Sequence, residues 1–551
     1  MIFKSASPDV AIPEVSITEY VLRHAERLGD KPAMVDGPSG RTLTYGQLAD
    51  GIRRAATGLA RRGFKKGDVF AIYSPNLPEY AVAFNAVASL GGINTTVNPL
   101  YTADELARQL RDSGARFLVT VGPFLDKARE AAASARVEEV FVFGTADGAR
   151  PFAELLATPP SPPSGVIDPK RDVVVLPYSS GTTGLPKGVM LTHRNLVANL
   201  CQCLGMQNFD GFAEQDTIMA VLPYFHIYGM VVIMMFGLCQ GATVVSMPRF
   251  DMQEFLGIIQ KYRVTVAPIV PPIVLGMVKH PAVSQFDLSS LRLIFSGAAP
   301  LGEEIARELS KRLGCPVVQG YGMTEASPVT HLSPTRNAPV KPGSIGMVVP
   351  STEVKLVDVV TGAEVGNGRE GELLIRGPQI MKGYLNRPED TAQAIDSEGW
   401  YHSGDVGYVD DDGWFYIVDR TKELIKYKGM QVAPAELEAL LATHPAVLDA
   451  AVIRKADEEA GEVPKAFVVL RPDAASRATT AEALMAWVAE RVAPHKRVRH
   501  VEFIDQIPKS ASGKILRRML VEREQEAQGR ATTRSASALT CQPPRPGSSG
   551  V

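Results

Sequence analysis

The sequence predicts an α/β protein: a large N-terminal domain of layered α/β sub-lobes followed by a small C-terminal α/β domain. Three observations carry this reading. The chain has 551 residues, far more than one ordinary domain. Short apolar, β-branched runs alternate with longer segments of helical period. After Trp400 the texture changes to a turn-rich stretch and then to a second, shorter α/β pattern. Hydrophobic residues make up 45% and charged residues 21%, with formal net charge −2, so neither disorder nor a polyanion-binding surface is indicated for the body of the chain.

In chain order, a strand expected at 69–73 precedes a helix over 77–90, and a helix over 107–113 precedes a strand over 117–121. The run 173–177 (VVVLP) reads as a strand followed by a helix at 194–200, and 291–295 leads in the same way to a helix at 302–313. Such alternation predicts mostly parallel strands. The most apolar stretch, 227–239 (IYGMVVIMMFGLC), falls short of the ~20 residues that span a bilayer and reads as a buried helix. GDVGYVDDDGWFYIVDR reads as a hairpin ending in the polar run 419–422, which divides the chain into domains 1–420 and 421–525. In the second domain, helices are expected near 434–443 and 480–492 and strands near 450–453 and 466–470. Residues 526–551, rich in Ser, Thr, Pro, Ala and Gly, are expected to form a disordered tail.

The five cysteines (Cys201, Cys203, Cys239, Cys315, Cys541) form no CxxC pair and no His cluster at metal spacing, so a disulfide scaffold or zinc site has no support. Cys201 and Cys203 read as small buried apolar residues. The N-terminus lacks a basic start followed by an apolar stretch, so no secretory signal is read and a cytoplasmic location is expected.

The strongest chemical signal is YSSGTTGLPK at 178–187, directly after the strand-like VVVLP. Hydroxyls, backbone donors and a lysine in one glycine-bearing loop suit a polyphosphate, because glycines let the main chain approach phosphate oxygens. It is not a Walker A motif: no Gly-Lys-Ser/Thr triplet opens a helix. An isolated stretch of this composition is ordinarily a surface turn. This one stands in order with GYGMTE (320–325), YHSGDVG (401–407), DRTKELIKYKG (419–429) and SASGK (510–514).

Together these motifs closely resemble the adenylate-forming superfamily of acyl-CoA synthetases, adenylation domains and luciferases, over about residues 15–523. Within it the chain looks most like the 4-coumarate:CoA ligase branch, through SSGTTGLPKGVMLTH, LPYFHIYG, SGAAPLG, GYGMTEASPV, IKYKGMQVAPAELE and PKSASGKILRR. Two departures matter. The second signature box of the plant enzymes, GEICIRG, stands here as GELLIRG (371–377), and Ser327 replaces their usual glycine, so coumarate specificity is less firmly implied than the chemistry.

The resemblance implies an acid that reacts with ATP to give acyl-AMP and pyrophosphate, then with coenzyme A to give acyl-CoA and AMP. It places Ser179, Ser180, Gly181, Thr182, Thr183 and Lys187 over the ATP phosphates, with Gln319, Gly320 and Thr324 at the AMP portion and Asp405 and Arg420 at the ribose. Glu325 would hold Mg²⁺. Lys514 would draw carboxylate and α-phosphate together, with His226 near the acyl carboxylate and Lys426 as a further catalytic residue. Lys422 matches the family's hinge, which makes the C-terminal domain mobile and lets one site serve two half-reactions. Arg249, Lys428, Gly429 and Gln431 would meet CoA, and Tyr228, Gly297, Ala298, Gly320, Gly322, Pro328 and Val329 would line the acyl pocket.

The acid implied is an aryl-propenoate of the 4-coumarate or cinnamate type. A medium- or long-chain fatty acid, or transfer to a carrier protein instead of CoA, stays open. A noncatalytic relative would show decay at Lys514, Glu325 or the phosphate loop, and none is decayed. Partners expected are the small-molecule acid, ATP and CoA, with no nucleic acid and no integral membrane segment; a weak homodimer is an open option.

Overall fold

The computed structural model describes residues 1–163, 165–179, 186–336, 340–428, 430–457, 459–472, 479–510 and 513–526. These fall into two compact units, one spanning Met1–Ile417 and one spanning Val418–Ser510 and continuing from Lys514. The 526–551 tail expectation lies, beyond Glu526, outside the described residues.

The first unit is built on three sheets. In one, the strands Ile93–Thr96, Val69–Ile72, Ala115–Val121 and Glu139–Phe143 are parallel neighbours, and Val173–Ser179 joins them parallel to Ile93–Thr96. The helices that the sequence places between them form at Pro78–Ser89 and Ala103–Ser113. Thr102 caps the latter in a capping box with Glu105, and Gly114 ends it in the left-handed conformation, so the boundaries follow from local chemistry.

Parallel pairing stops at the functionally marked end. Lys187–Thr192 runs antiparallel to Val173–Ser179, and Gly383–Tyr384 antiparallel to Lys187–Thr192. The connection from Ser179 to Lys187 is too short for the crossover of a dozen or more residues that a parallel neighbour needs. Thr192 then caps the helix His193–Gly205, in a capping box with Asn195.

The second sheet orders Val329–Leu332, Val317–Gly322, Leu293–Ser296, Val266–Ile269, Thr217–Ala220, Thr243–Ser246 and Pro32–Asp36, parallel from Val317–Gly322 onward. The third, Glu353–Val357, Gly371–Arg376 and Tyr401–Val409, is joined by the strand that begins at Phe415, the second arm of the hairpin read from the sequence, and its pairings along Gly371–Arg376 are antiparallel. This corrects the expectation of mostly parallel strands: turn-rich connections with alternating burial make an antiparallel sheet instead.

The apolar stretch is buried throughout, as wide π-helical turns over Tyr228–Met235 running into the helix Phe236–Cys239. Among the described residues no helix is long and apolar enough to cross a membrane. Cys201, Cys203, Cys239 and Cys315 are free and buried.

In the second unit the strands Met430–Val432, Ile425–Tyr427, Gly461–Leu470 and Val447–Asp457 lie in that order, with His500–Phe503 parallel to Gly461–Leu470. The helices Pro434–Thr443 and Ala481–Ala489 cover one face through Leu437, Leu441, Leu484 and Val488. The second helix stops short of the expected 492. The long hairpin extends well beyond 450–453 and 466–470, because its turn end is charged and carries Pro464, which hides it from an apolarity reading.

Candidate active site

The end of the strand Val173–Ser179 and the start of Lys187–Thr192 face each other, with Ser179 opposite Lys187. Ser179 Oγ donates to Glu325 Oε1 at 3.0 Å, and the Tyr384 hydroxyl donates to the same oxygen at 3.0 Å. Burial, reinforced by the Glu325 charge, pushes the Tyr384 phenol far above its ordinary range, so it stays a donor. Lys187 Nζ sits 5.0 Å above the Tyr384 ring and 2.9 Å from Asp390 Oδ1. Tyr178 donates to Asp112 Oδ2 at 2.7 Å, which braces the base of the loop. Ser180, Gly181, Thr182 and Thr183 lie outside the described residues.

Glu325 and Thr324 open a short 3₁₀ turn, Thr324–Ala326, that follows the strand Val317–Gly322. Gly322 pairs with Val329 so closely that a Cβ there would run into the Pro328 carbonyl. From the helix His193–Gly205, Asn199 clamps the return: its Oδ1 accepts from Val329 N at 3.0 Å and its Nδ2 donates to Val329 O at 2.7 Å. Gln319 turns its amide to both backbone groups of Leu301, so its side chain supports the turn after Ser296. Tyr321 donates its hydroxyl to Asp405 Oδ2 at 2.5 Å, fixing a carboxylate that is 8% exposed.

Gly297 and Ala298 follow the strand Leu293–Ser296, and Ala298 holds a positive φ of 69°. The Tyr228 ring lies against Gly297, and its hydroxyl donates to Phe295 O at 3.0 Å. The hydroxyl of this expected pocket residue therefore already has an internal acceptor. His226 Nδ1 accepts from Tyr228 N at 3.3 Å. A Cβ on Gly320 would meet the Phe295 ring, so Phe295 lies directly behind the glycine strand. Beyond it is an apolar cavity lined by Leu200, Cys203, Phe209, Val232, Phe236 and Leu332, among others. Arg249 is exposed, just before the helix Met252–Tyr262.

In the second unit, Arg420 ends its strand and donates its backbone N–H to Asp419 Oδ1 at 2.7 Å. Lys422 is exposed, and its carbonyl accepts from Arg454. Lys426 and Gln431 are cross-strand partners in a hairpin, with Lys428 at a positive φ of 47° in its turn and ion-paired to Glu459. That pair raises the Lys428 ammonium above its ordinary range. Gly429 lies outside the described residues. Lys514 is bonded to Ser510 through both backbone groups: its N–H donates to Ser510 Oγ at 3.1 Å and its carbonyl accepts from Ser510 N at 2.8 Å.

The sequence reading missed Tyr384, Asp390, Asp112, Asn199, Tyr321 and Phe295. Tyr321 alone stood inside a recognised motif, GYGMTE, where an aromatic flanked by two glycines was the available signal.

Residues 21–385 match the model of the AMP-binding enzyme family and residues 436–514 that of the AMP-binding enzyme C-terminal domain. The chain is 44% identical over 530 residues to 4-coumarate–CoA ligase 1 of Petroselinum crispum, covering 94% of this chain and 96% of that one. It is 45% identical over 526 residues to 4-coumarate–CoA ligase 3 of Oryza sativa subsp. japonica, covering 94% of each. Among solved structures, it is similar to an anthranilate CoA ligase in complex with anthranoyl-AMP, with TM-score 0.86, 27% identity and coverage of 94% and 98%. It is also similar to a benzoate CoA ligase from Burkholderia xenovorans LB400, with TM-score 0.82, 28% identity and coverage of 92% and 99%. The chain belongs to the AMP-binding enzyme family of adenylate-forming ligases.

Proposed function

We propose that the protein is an ATP-dependent acid–CoA ligase acting on an aryl-propenoate of the 4-coumarate or cinnamate type. The observation that carries this is the convergence of Ser179, Lys187, Glu325 and Tyr384 at one strand end, beside a wall of glycines and aromatic rings. Relatives named 4-coumarate–CoA ligases match nearly the whole chain.

In the first half-reaction a carboxylate oxygen of the acid attacks the α-phosphorus of ATP, and the bond to the β-phosphate oxygen breaks to release pyrophosphate. Lys187 offers its charge to the phosphates, and Lys514 stabilises the charge that builds on the α-phosphate and carboxylate oxygens. Thr324, with Gln319 and Gly320, borders the AMP portion. Asp405, already oriented by Tyr321, accepts from the ribose hydroxyls, with Arg420 as second contact. His226 orients the acid, and Tyr228, Gly297, Ala298, Gly320, Gly322, Pro328 and Val329 leave a slot for a flat ring.

Glu325 fits Mg²⁺: it is an oxygen donor, 7% exposed, held by two hydroxyl donors on one oxygen, and Mg²⁺ commonly takes one or two carboxylates alongside substrate phosphates. When bound, the ion would neutralise charge on the phosphate oxygens as pyrophosphate departs. In the second half-reaction the CoA thiol attacks the acyl carbonyl and AMP leaves. Arg249, Lys426, Lys428, Gly429 and Gln431 serve that step, with Lys422 as the pivot between the two.

A fatty acyl substrate is the second reading, and the largely apolar cavity behind Phe295, with Asn199 in its lining, is the space into which its chain would have to extend by displacing side chains. Acid-dependent exchange of pyrophosphate into ATP, followed by CoA-dependent thioester release, tests both across a panel of cinnamates and alkanoates. Exchange with no acid in the panel would overturn the proposal, as would exchange without thioester.

A further inference from the structure

We propose that Asp390 is a built-in counter-anion that occupies Lys187 in the resting enzyme and competes with the triphosphate of ATP for it, thereby setting the ATP affinity of the site. This rests on the reading that Lys187 meets the ATP phosphates.

The contact is constructed by the fold. Gly383–Tyr384 pairs with the strand that begins at Lys187, through Val189 opposite Tyr384 and Met190 opposite Gly383, and Leu385 N donates to Gly188 O at 2.8 Å. That pairing delivers the helix Pro388–Ala394 to the side of Lys187. Thr391, next to Asp390, then locks the helix down: its Oγ1 accepts from Tyr384 N at 2.9 Å and donates to Arg387 O at 2.9 Å. Asp390 thereby reaches Lys187 Nζ at 2.9 Å while the Tyr384 ring lies beneath the same ammonium at 5.0 Å. Glu325 accepts from the Tyr384 hydroxyl. A lysine with one carboxylate on it and an aromatic face under it is held in place, and an incoming polyphosphate must displace Asp390 to use that charge.

The size of the effect follows from exposure. The two side chains keep 25% and 32% of their surface, and ion pairs of this kind are worth at most about 1 kcal/mol, roughly fivefold in an equilibrium constant. A triphosphate carries several negative charges and outcompetes one carboxylate, so Asp390 attenuates ATP binding without preventing it. Because the pair is partly solvated, the attenuation weakens as salt rises.

The test is equilibrium titration of ATP with Mg²⁺, without acid, on the full-length enzyme and on Asp390→Asn, Asp390→Ser, Lys187→Met and the double variant Lys187→Met/Asp390→Asn, each shown by thermal melting to be folded. Asp390→Asn and Asp390→Ser are expected to tighten ATP binding roughly three- to fivefold at low salt, with less than half of that gain in 0.5 M salt and less than half of it in the Lys187→Met background. Weaker binding in the Asp390 variants would mean that Asp390 orients Lys187 for the phosphates, and unchanged binding would mean an inert surface pair; either overturns the proposal. Unchanged binding in Lys187→Met would instead show that this lysine does not meet ATP, a failure of the underlying reading that the single variants separate from failure of the competition itself.

Discussion

Tyr228 carries two separable functions in one side chain. Its ring covers Gly297, while its hydroxyl donates to the Phe295 carbonyl in the interior. Tyr228→Phe should therefore cost about 1 kcal/mol of stability, the net worth of one hydrogen bond, measurable by denaturant unfolding. The ratio of kcat/KM for 4-hydroxylated against unsubstituted cinnamates should stay within about twofold, since the ring that shapes the slot is kept. Selective loss of the hydroxylated acids would show instead that the hydroxyl leaves Phe295 to meet substrate. At this scale the sequence reached residues that sit inside motifs: Lys187, Glu325 and Asp405 could be named because each has a recognisable neighbourhood. Tyr384, Asp390 and Asn199 could not. Each acts across a long stretch of chain, on Glu325, Lys187 and Val329 respectively, and no local spacing records such a pairing.

Elements position these residues by close packing where the motifs are glycine-rich. The strand Val317–Gly322 returns on Val329–Leu332 with no room for a side chain at Gly322, against the Pro328 carbonyl. Gly322→Ala should destabilise the first unit by about 2–3 kcal/mol, the ordinary cost of overpacking, and should lower acyl-AMP formation because the turn bearing Thr324 and Glu325 shifts with the strand. A melting temperature equal to that of the unaltered enzyme would contradict this. In the second unit a buried ion network takes the place of glycine packing. Arg517 pairs with Glu423 and, at 2.6 Å, with Glu438, and its Nε donates to Val452 O at 3.2 Å. It thus ties the segment after Lys422 to the helix Pro434–Thr443 and to the central hairpin. Burial raises the Glu438 carboxyl to about 7, against the pull of Arg517. Its folded value lies above the ordinary 4.5, so its contribution to stability is full below about pH 4.5 and is lost as pH rises through about 7. The stability of the enzyme relative to Glu438→Gln should accordingly fall between pH 5 and pH 8, read by chemical denaturation at each pH; a difference independent of pH would show that Glu438 is ionised throughout.

For the molecule as a whole, strand–helix alternation made part of the parallel sheets legible, because strands such as Val69–Ile72 and Leu293–Ser296 are largely apolar runs beside helices, whereas Ile93–Thr96, buried but polar (INTT), gave no such signal. The antiparallel strands Glu353–Val357 and Gly371–Arg376 and the charged end of the hairpin Val447–Asp457 were less legible, since short strands with polar residues among the apolar ones look like loops. The division of labour between the two units is the claim with most to lose. If Lys514 serves adenylation and Lys428 serves thioester formation, substitutions there should separate the half-reactions instead of scaling both. Lys514→Ala should lower acyl-AMP formation by at least a hundredfold while supplied acyl-AMP is still converted to acyl-CoA. Lys428→Ala should form acyl-AMP at a near-normal rate and fail when CoA is added; its loss also frees Glu459, an exposed partner, so stability should change by less than about 0.5 kcal/mol. If Lys422 is the pivot, Lys422→Pro should behave like Lys428→Ala, because a fixed φ there would oppose the backbone rotation proposed for the second half-reaction. Rapid-quench measurement of acyl-AMP and thioester in single turnovers distinguishes these outcomes. Equal losses of both half-reactions in all three variants would mean that the lysines support the structure of the second unit, and that one arrangement of the enzyme performs both steps.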